Sequence, residues 1–414
     1  MKRIFVLICV LLISVGLYFK YTQFKEEKNQ NKILNQINQI EKKFHQYVKV
    51  MKNTNLYLKG NNQFEKVGII GANNELELEK EKITENTKHF KIANSDYYVS
   101  IYDIEKIDAL SEINTRYQKY IPFNENIITN DTTTFIDENG NFITYNDSYE
   151  LPIIIKEEDK YGVEFNDKLY YVNKDNVKEI KQNTNSTEKI KDKIITLTYH
   201  FLYDPETDKC NQSICQSLEQ FESHLKYIKD NNYLTLQMFE LEMFLDKKIN
   251  IPYNSLVITI DDGTIFNTKA IDLLEEYEQY ATLFIISGWI ENLDRFDSKY
   301  LALESHTDLM HKQYECKGMG LQGGGILCKD RDYVLNDLKT SQEKLGGSKY
   351  FAYPFFDHNQ RAIELLKEAG FNLAFVGQYN TNGFSTPGKT DKYKVPRKTI
   401  FSSTSLNDFK SLLK

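Results

Sequence analysis

The fold is decided by the stretch Leu256-Val257-Ile258-Thr259-Ile260-Asp261-Asp262-Gly263, an apolar run that ends in two carboxylates. Apolar runs of this length, alternating with helical segments, indicate buried parallel strands. Parallel α/β sheets and barrels carry their chemistry at the C-terminal strand ends, so we expect the polar ends to share one rim. Three other runs end in the same way: 194–199 at His200, 300–303 shortly before His306 and His311, and 350–352 at Tyr353-Pro354.

The composition argues against a nucleic-acid-binding protein. The chain has 414 residues, 41% of them hydrophobic, and a formal net charge of −7. This length leaves room for two or three domains with ordinary cores. The negative charge does not suit a phosphate-binding surface, so no nucleic acid partner is expected.

Residues 1–23 predict a membrane segment. Basic Lys2 and Arg3 precede the apolar stretch 4–19, which is the pattern of a targeting segment with its positive flank in the cytoplasm. We expect a retained anchor that holds the rest of the chain at the extracellular face of the cell membrane. Cleavage near Ser14-Val15-Gly16 would instead give a secreted protein.

Residues 24–52 predict a helical stalk. Apolar side chains recur there at alternating four- and three-residue steps among polar residues, which is a helical spacing. Two interpretations remain open: a stalk that allows weak self-association, or an amphipathic helix that packs on its own domain.

Two segments of the first half resemble each other. Residues 96–107 can be laid over 169–180, since both contain Tyr-Tyr-Val, a short turn and a final Ile. Each closes a stretch of alternating strand patterns and turn residues. This predicts two small all-β modules, 53–128 and 129–181, which resemble the bacterial SH3-like modules of cell-wall enzymes. They would either hold peptides or glycans or act as spacers, and residues 182–192 predict a linker.

The paired aspartates and the two later histidines predict a metal site. Neighbouring carboxylates at a strand end are forced into different roles, so one can bind a cation while the other acts as a base. His306 and His311 can supply neutral imidazole nitrogens, and one Asp with two His leaves open positions on a zinc-like ion. An isolated Asp-Asp-Gly is usually a turn, and an isolated His pair is usually not a ligand pair. Their occurrence at successive strand ends favours a site.

Three motifs together carry a family resemblance: Thr259-Ile260-Asp261-Asp262-Gly263, Ser305-His306-Thr307-Asp308-Leu309-Met310-His311 and Phe351-Ala352-Tyr353-Pro354-Phe355. They resemble the motifs of the NodB-type polysaccharide deacetylases, carbohydrate esterase family 4. The early Leu197-Thr198-Tyr199-His200 and the five-residue His spacing are similar to the branch that de-N-acetylates poly-N-acetylglucosamine in biofilm matrices. The resemblance covers 193–414 and implies an α/β fold, a distorted (β/α) barrel.

The resemblance also implies roles for the site residues. Asp261 would be the general base, and His200 would be the acid that protonates the leaving amine. The metal ligands would be Asp262, His306 and His311. The ion expected is zinc, although cobalt and nickel also suit this ligand set.

Two further features follow from the same resemblance. A backbone N–H near Tyr353, in the Tyr353-Pro354 motif, would stabilise the oxyanion. The arginine that relatives often carry upstream of this motif is missing, which leaves Asp261 without a usual orienting partner. The late segment Lys394-Val395-Pro396-Arg397 has no histidine, which agrees with His200 as the acid.

The four cysteines of the second half predict two disulfides. The shortest pairing joins Cys210 to Cys215 and Cys316 to Cys328, and extracellular exposure favours oxidation. The second disulfide would tie down the Gly-rich loop 318–325, where that loop could border the substrate groove. A four-cysteine zinc site and reduced thiols are the alternatives.

These features together predict a membrane-anchored extracellular hydrolase that removes N-acetyl groups from an N-acetylglucosamine-containing polysaccharide. Poly-N-acetylglucosamine is the favoured substrate, and peptidoglycan is the alternative. A non-catalytic, glycan-binding wall protein is the remaining interpretation.

Overall fold

The computed structural model describes residues 47–61, 63–79, 88–112, 114–183, 189–377 and 383–413. The predicted membrane segment 1–23 and residues 24–46 of the predicted stalk lie outside this part of the chain. Within it, no helix has the length and apolar character needed to cross a membrane. The chain forms two compact units, here called the β unit (residues up to Thr115, Ile127–Leu151 and Val163–Ile180) and the α/β unit (Arg116–Asn126, Pro152–Gly162 and Lys181–Lys414).

The first half is rich in strands. Its elements are β1 (Tyr47–Val50), β2 (Thr54–Lys59), β3 (Phe64–Ile70), β4 (Glu75–Glu77), β5 (His89–Lys91), β6 (Tyr97–Ser100), β7 (Ile104–Ile107), β8 (Glu125–Thr129), β9 (Thr133–Ile136), β10 (Phe142–Tyr145), β11 (Glu150–Lys156), β12 (Lys160–Phe165), β13 (Lys168–Asn173) and β14 (Val177–Gln182). One sheet has the order β4-β1-β7, and a larger one runs β14-β8-β11-β12-β13-β9-β10-β3-β2-β6-β5.

The predicted helical stalk is wrong at its C-terminal end. Tyr47–Val50 form strand β1, which pairs antiparallel with both β4 and β7. Val48 and Val50 are buried while the residues between them are not, so burial here alternates with the period of a strand. Pairing on both sides satisfies the backbone, and this outweighs a helical spacing that continues from the preceding residues.

The two similar segments form the same local structure. In one, β6 and β7 are joined by the 3₁₀ turn Ile101–Asp103; in the other, β13 and β14 are joined by the 3₁₀ turn Lys174–Asn176. β10 pairs with β3 through Ile143 and Ile70, which places strands of both predicted modules in one sheet. The SH3-like character of these modules stays a prediction.

The α/β unit begins earlier in the chain than residue 193. Two segments of the first half belong to it, Arg116–Asn126 and Pro152–Gly162. Ile121 pairs with Asn250, and Ile155 pairs with Ile249. In the predicted linker, Ile190 pairs with Pro252.

The α/β unit contains a mainly parallel sheet, a two-stranded sheet and six α-helices among its described residues. The strands are β15 (Ile194–Tyr199), β16 (Phe201–Tyr203), β17 (Cys215–Ser217), β18 (Leu234–Thr235), β19 (Ser255–Asp262), β20 (Ala281–Ile285), β21 (Leu301–Ser305), β22 (Tyr350–Ala352), β23 (Leu373–Val376), β24 (Phe384–Ser385), β25 (Val395–Pro396) and β26 (Lys398–Thr399). The helices are α1 (Leu218–Asp230), α2 (Met238–Leu245), α3 (Ala270–Tyr277), α4 (Arg331–Lys344), α5 (Gln360–Glu368) and α6 (Leu406–Leu412).

The sheet of this unit is a nearly closed barrel. Its order is β24-β15-β19-β20-β21-β22-β23-β25, with β26 also beside β15. The short segment that contains β25 and β26 therefore pairs with β23 at one end and with β15 at the other. This agrees with the distorted (β/α) barrel expected from the motifs.

Three of the barrel strands are buried on both faces. Every residue of β15, β19 and β20 is buried, as expected for parallel strands beneath helices. Helix α1 contributes Phe221, Leu225 and Ile228 to the core, at helical spacing along one face. Ser217 begins this helix, because its hydroxyl accepts the N–H of Gln220, a cap that typically contributes about 1 kcal/mol.

Candidate active site

The predicted site residues lie at neighbouring strand ends. Parallel register places Tyr199 beside Ile260 and Ser305 beside Phe351, so the residues after each strand reach the same rim. They line a cleft of about 280 Å³. Its lining residues are His200, Phe201, Gln212, Ile214, Asp261, Asp262, Trp289, His306, His311, Gln313, Tyr353, Phe355 and Phe356.

The Asp-Asp-Gly motif is both a turn and part of this site. Asp262 and Gly263 have positive φ values of 75° and 70°, so the chain leaves β19 sharply. A Cβ on Gly263 would lie 2.2 Å from Ile285. Glycine is therefore required for the turn that aims the Asp262 carboxylate into the cleft.

Asp262, His306 and His311 form the candidate metal centre. The Nε2 atoms of His306 and His311 lie 3.6 and 3.5 Å from Oδ1 of Asp262, and the three potential ligand atoms all lie within 4.8 Å of one another. Two ligand atoms about 2.1 Å from a tetrahedral ion are about 3.4 Å apart. The spacing of the side chains therefore suits a zinc-sized ion.

Hydrogen bonding and charge also suit a cation at this centre. Nδ1 of His306 donates to the carbonyl of Ala352 at 2.8 Å, which leaves Nε2 free as a ligand atom. Burial lowers the pKa of His306, and burial followed by the charge of His306 lowers the pKa of His311 to about 3. Burial and then the charge of Asp261 raise the pKa of Asp262 to about 7. Two neutral imidazoles thus lie beside the Asp262 carboxyl group, which has no Lys or Arg ion-pair partner among the described residues.

Asp261 is oriented by Arg397. Nη1 and Nη2 of Arg397 donate to Oδ1 and Oδ2 of Asp261 at 2.7 and 2.8 Å, and both side chains are buried. Burial acts to raise the pKa of Asp261, but the charges of Arg397, His306 and His200 and the hydrogen bonds from Arg397 together outweigh it, so this pKa lies below the ordinary 3.8. Asp261 is therefore ionised at neutral pH.

The expectation that Asp261 lacks an orienting partner is therefore wrong. Arg397 lies between β25 and β26 and enters the barrel with the segment that nearly closes it. A buried carboxylate is normally paired with a cation, and the arginine of the segment 394–397 is the sequence signal from which this partner could be found.

His200 lies across the cleft from the metal ligands. Its Nε2 is 3.9 Å from Oδ2 of Asp261, and its Nδ1 is buried with no hydrogen-bond partner among the described residues. Burial lowers the pKa of His200 to about 4, although the charge of Asp261 acts in the other direction. The imidazole is therefore neutral at pH 7.

The backbone N–H of Tyr353 is already used within the barrel. The N–H of Tyr353 donates to the carbonyl of Phe375 at 3.1 Å, and Pro354 has no N–H. Tyr353 lines the cleft, and neither Tyr353 nor Pro354 offers a backbone donor to it. The next N–H belongs to Phe355, a cleft residue in the left-handed region with φ 58°.

The structure contains the disulfides Cys210–Cys215 and Cys316–Cys328. The first closes a short loop that supplies Gln212 and Ile214 to the cleft. The second encloses the Gly-rich loop 318–325, which does not contribute to the cleft lining.

The buried carboxylate of Asp357 organises this Gly-rich loop. It accepts the N–H groups of Leu321, of Gln322 at 3.0 Å and of Gly324 at 2.9 Å. Asp357 therefore fixes the backbone of this loop.

Comparisons with known proteins support a polysaccharide deacetylase domain. Residues 248–374 match the family model described as "Polysaccharide deacetylase". A stretch of 164 residues is 24% identical to the "Putative polysaccharide deacetylase YxkH" of Bacillus subtilis (strain 168), covering 37% of this chain and 56% of the relative. The chain thus spans about half the length of this curated relative.

Three solved structures are similar to part of this chain, each with a TM-score below 0.5. A de-N-acetylase from Aggregatibacter actinomycetemcomitans is 20% identical, with 53% of this chain and 100% of that chain covered and a TM-score of 0.46. IcaB from Ammonifex degensii is 20% identical, with 55% and 98% covered and a TM-score of 0.44. The deacetylase PplD of Streptococcus pyogenes, in complex with acetate, is 19% identical, with 54% and 98% covered and a TM-score of 0.43.

Proposed function

We propose that the α/β unit is a metal-dependent polysaccharide deacetylase that removes N-acetyl groups from an N-acetylglucosamine-containing extracellular polymer and releases acetate. One observation carries the proposal: the Asp262, His306 and His311 cluster opens into the same cleft as an ionised Asp261. A turn-forming Asp-Asp-Gly with no catalytic role would not need a buried arginine on its first carboxylate.

The chain's own groups divide the work of amide hydrolysis. A divalent ion such as zinc, held by Asp262, His306 and His311, would supply Lewis-acid chemistry for the acetyl carbonyl and for water. Asp261, ionised and held by Arg397, accepts a proton from the attacking water. The Arg397 fork prevents Asp261 from turning toward the metal ligands, so the two carboxylates keep separate roles.

His200 is assigned the protonation of the leaving amine. Because its imidazole is neutral, His200 must first gain a proton. The proton that Asp261 takes from the attacking water is within reach, since Nε2 of His200 lies 3.9 Å from Oδ2 of Asp261, and His200 passes it to the amide nitrogen. Negative charge that develops on the substrate beside His200 raises its proton affinity, because an opposite charge favours the protonated imidazole. The sugar amine can then leave as a neutral group, and the C–N bond breaks.

The oxyanion that forms on the acetyl carbonyl requires a hydrogen-bond donor. We assign the N–H of Phe355, because Tyr353 has donated its own and Pro354 has none. A donor fixed by the backbone needs no reorganisation as the charge develops.

The aromatic side chains of the cleft suit a sugar ring. Trp289 lines it with 54% of its surface exposed, 5.6 Å from the His311 ring, and Phe355 packs against the same ring. Aromatic faces beside a polar centre suit the apolar face of a sugar ring. Peptidoglycan, which carries the same N-acetyl sugar, is the alternative substrate.

The extracellular location is part of the proposal. Two disulfides in the α/β unit favour an oxidising compartment. Anchoring would come from residues 1–23.

The test is acetate release from poly-N-acetylglucosamine oligomers and from purified peptidoglycan by the full chain. Acetate is measured after chelation and again after zinc is restored. The variant Asp261→Asn is compared with the matched control Asp272→Asn, which changes an exposed position on α3. We expect zinc-dependent release that Asp261→Asn abolishes and Asp272→Asn leaves unchanged. Zinc binding with no acetate from either polymer would support a glycan-binding protein instead, and the preferred polymer identifies the substrate.

A further inference from the structure

A buried carboxylate, that of Asp337, is hydrogen-bonded to the turn between the two histidine ligands. Asp337 lies on α4 with 7% of its surface exposed. Its Oδ1 accepts the N–H of Asp308 at 2.9 Å, and its Oδ2 accepts the N–H of Leu309 at 2.8 Å. Both oxygens are thus bonded to backbone that lies between His306 and His311.

The same turn is fixed through the side chain of Asp308. That buried carboxylate accepts a hydrogen bond from Ser287 at 2.8 Å and one from Lys344 at 2.7 Å. The N–H of Gly288 donates to the Asp308 carbonyl at 3.0 Å. The turn is therefore bonded both to α4 and to the segment that follows β20.

The turn needs this support because its backbone is strained. Thr307 has φ 77°, a left-handed conformation that a β-branched residue rarely adopts. Such conformations cost on the order of 1–3 kcal/mol and persist only where the surroundings impose them. Relaxation of Thr307 would rotate the chain that carries His311 away from His306.

We propose that Asp337 is a positioning residue for the metal centre, and that its two backbone hydrogen bonds keep the His311 ring in reach of Asp262 and His306. The proposal rests on the proposed function in so far as that centre binds a metal. Asp337 touches neither the cleft nor the ligand atoms and acts only through the turn. Mutation of a group that orients metal ligands in this way typically lowers the metal affinity 10- to 100-fold.

The test is metal affinity of the full chain, measured by competition with a chromophoric chelator for zinc and by the visible spectrum of bound cobalt. Asp337→Asn keeps the shape but can accept only one of the two N–H groups. The control is Asp332→Asn on the same helix, whose side chain is 93% exposed. We expect a 10- to 100-fold weaker zinc affinity and an altered cobalt spectrum for Asp337→Asn, with neither change in the control.

A second variant keeps the proposal testable if Asp337→Asn does not fold. Ser287→Ala removes one hydrogen bond to the Asp308 side chain, and we expect a smaller loss of affinity in the same direction. Unchanged affinity in the folded variants, whatever their melting temperature, would reduce Asp337 to a purely structural role. A native chain that binds zinc but releases no acetate would end the proposed function and leave the positioning role intact; a native chain that binds no zinc would end both.

Discussion

Arg397 contacts Asp261 through both carboxylate oxygens, at 2.7 and 2.8 Å, and the two side chains are 0% and 2% exposed. A planar guanidinium matches both oxygens of a carboxylate at once, which the point charge of a lysine cannot do. Arg397 lies in the segment that joins the two edges of the barrel. The same pairing that nearly closes the fold therefore sets the orientation of the proposed base.

Arg397→Lys should lower kcat about 100-fold with little change in KM, because the charge remains while the fork that orients Asp261 is lost. Since Arg397 holds the pKa of Asp261 below 3.8, a weaker partner should raise that pKa. Activity requires ionised Asp261, so the acidic limb of the kcat/KM profile should move to higher pH. The shift should be about one unit for each 1.4 kcal/mol by which the interaction with ionised Asp261 is weakened. The exposed Lys394→Gln on the same segment is the control, and a superimposable profile for Arg397→Lys would contradict the assignment.

Zinc should stabilise the full chain through Asp262, His306 and His311. A ligand that binds only the folded state at 1,000 times its Kd adds about 4 kcal/mol of stability. We expect a clear rise in melting temperature when zinc is added to chelated protein, and little or none in Asp262→Asn. Asp272→Asn should respond like the native chain. An equal rise in all three proteins would place the ion elsewhere.

The sequence predicted the α/β unit well, because apolar strand runs and polar strand ends are both local patterns. Asp261, Asp262, His200, His306 and His311 meet in one cleft because each ends a strand, follows directly on one or follows the turn after it. Parallel strand register converts that local order into proximity.

The missed features depend on pairing between distant parts of the chain. Arg397 is 136 residues from Asp261, and no local pattern links them. The strand Tyr47–Val50 exists because β4 and β7 flank it, so its helical spacing was misleading. The N–H of Tyr353 is used by Phe375, a partner that only the sheet order reveals.

Removing Arg116 should destabilise the α/β unit although it lies far before residue 193. Nε of Arg116 donates to the buried Glu240 at 2.8 Å, and the guanidinium lies 4.1 Å from the centre of the Tyr280 ring. Arg116→Met would leave Glu240 buried without its cation, which typically costs about 3–5 kcal/mol.

The double variant Arg116→Met, Glu240→Gln removes both charges and should recover part of that loss. The measurement is thermal and urea unfolding of the full chain in the single and double variants. A single variant as stable as the native protein would show that the segment Arg116–Asn126 contributes little to the α/β unit.

The stability of the α/β unit should fall in mild acid because of His224. This residue is fully buried on α1, stacked 3.9 Å from the ring of Phe409 on α6. Its Nδ1 lies 3.1 Å from the hydroxyl of Tyr199, and its Nε2 has no hydrogen-bond partner among the described residues. Burial lowers the pKa of His224 from 6.5 to about 4, so the folded protein resists its protonation.

Between pH 6.5 and about pH 4 the unfolded chain binds a proton at His224 that the folded chain does not. Stability therefore decreases as the pH falls through this window, by about 2 kcal/mol between pH 7 and pH 5 for this group alone. His224→Gln keeps a polar partner for Tyr199 but cannot titrate. Between pH 7 and pH 5 the free energy of unfolding of this variant should therefore fall by about 2 kcal/mol less than that of the native chain. Unfolding curves of both proteins at pH 7, 6 and 5, with metal chelated, isolate the contribution of His224 from that of the cleft histidines. Parallel pH dependence in the two proteins would mean that His224 is protonated in the fold as easily as in the unfolded chain.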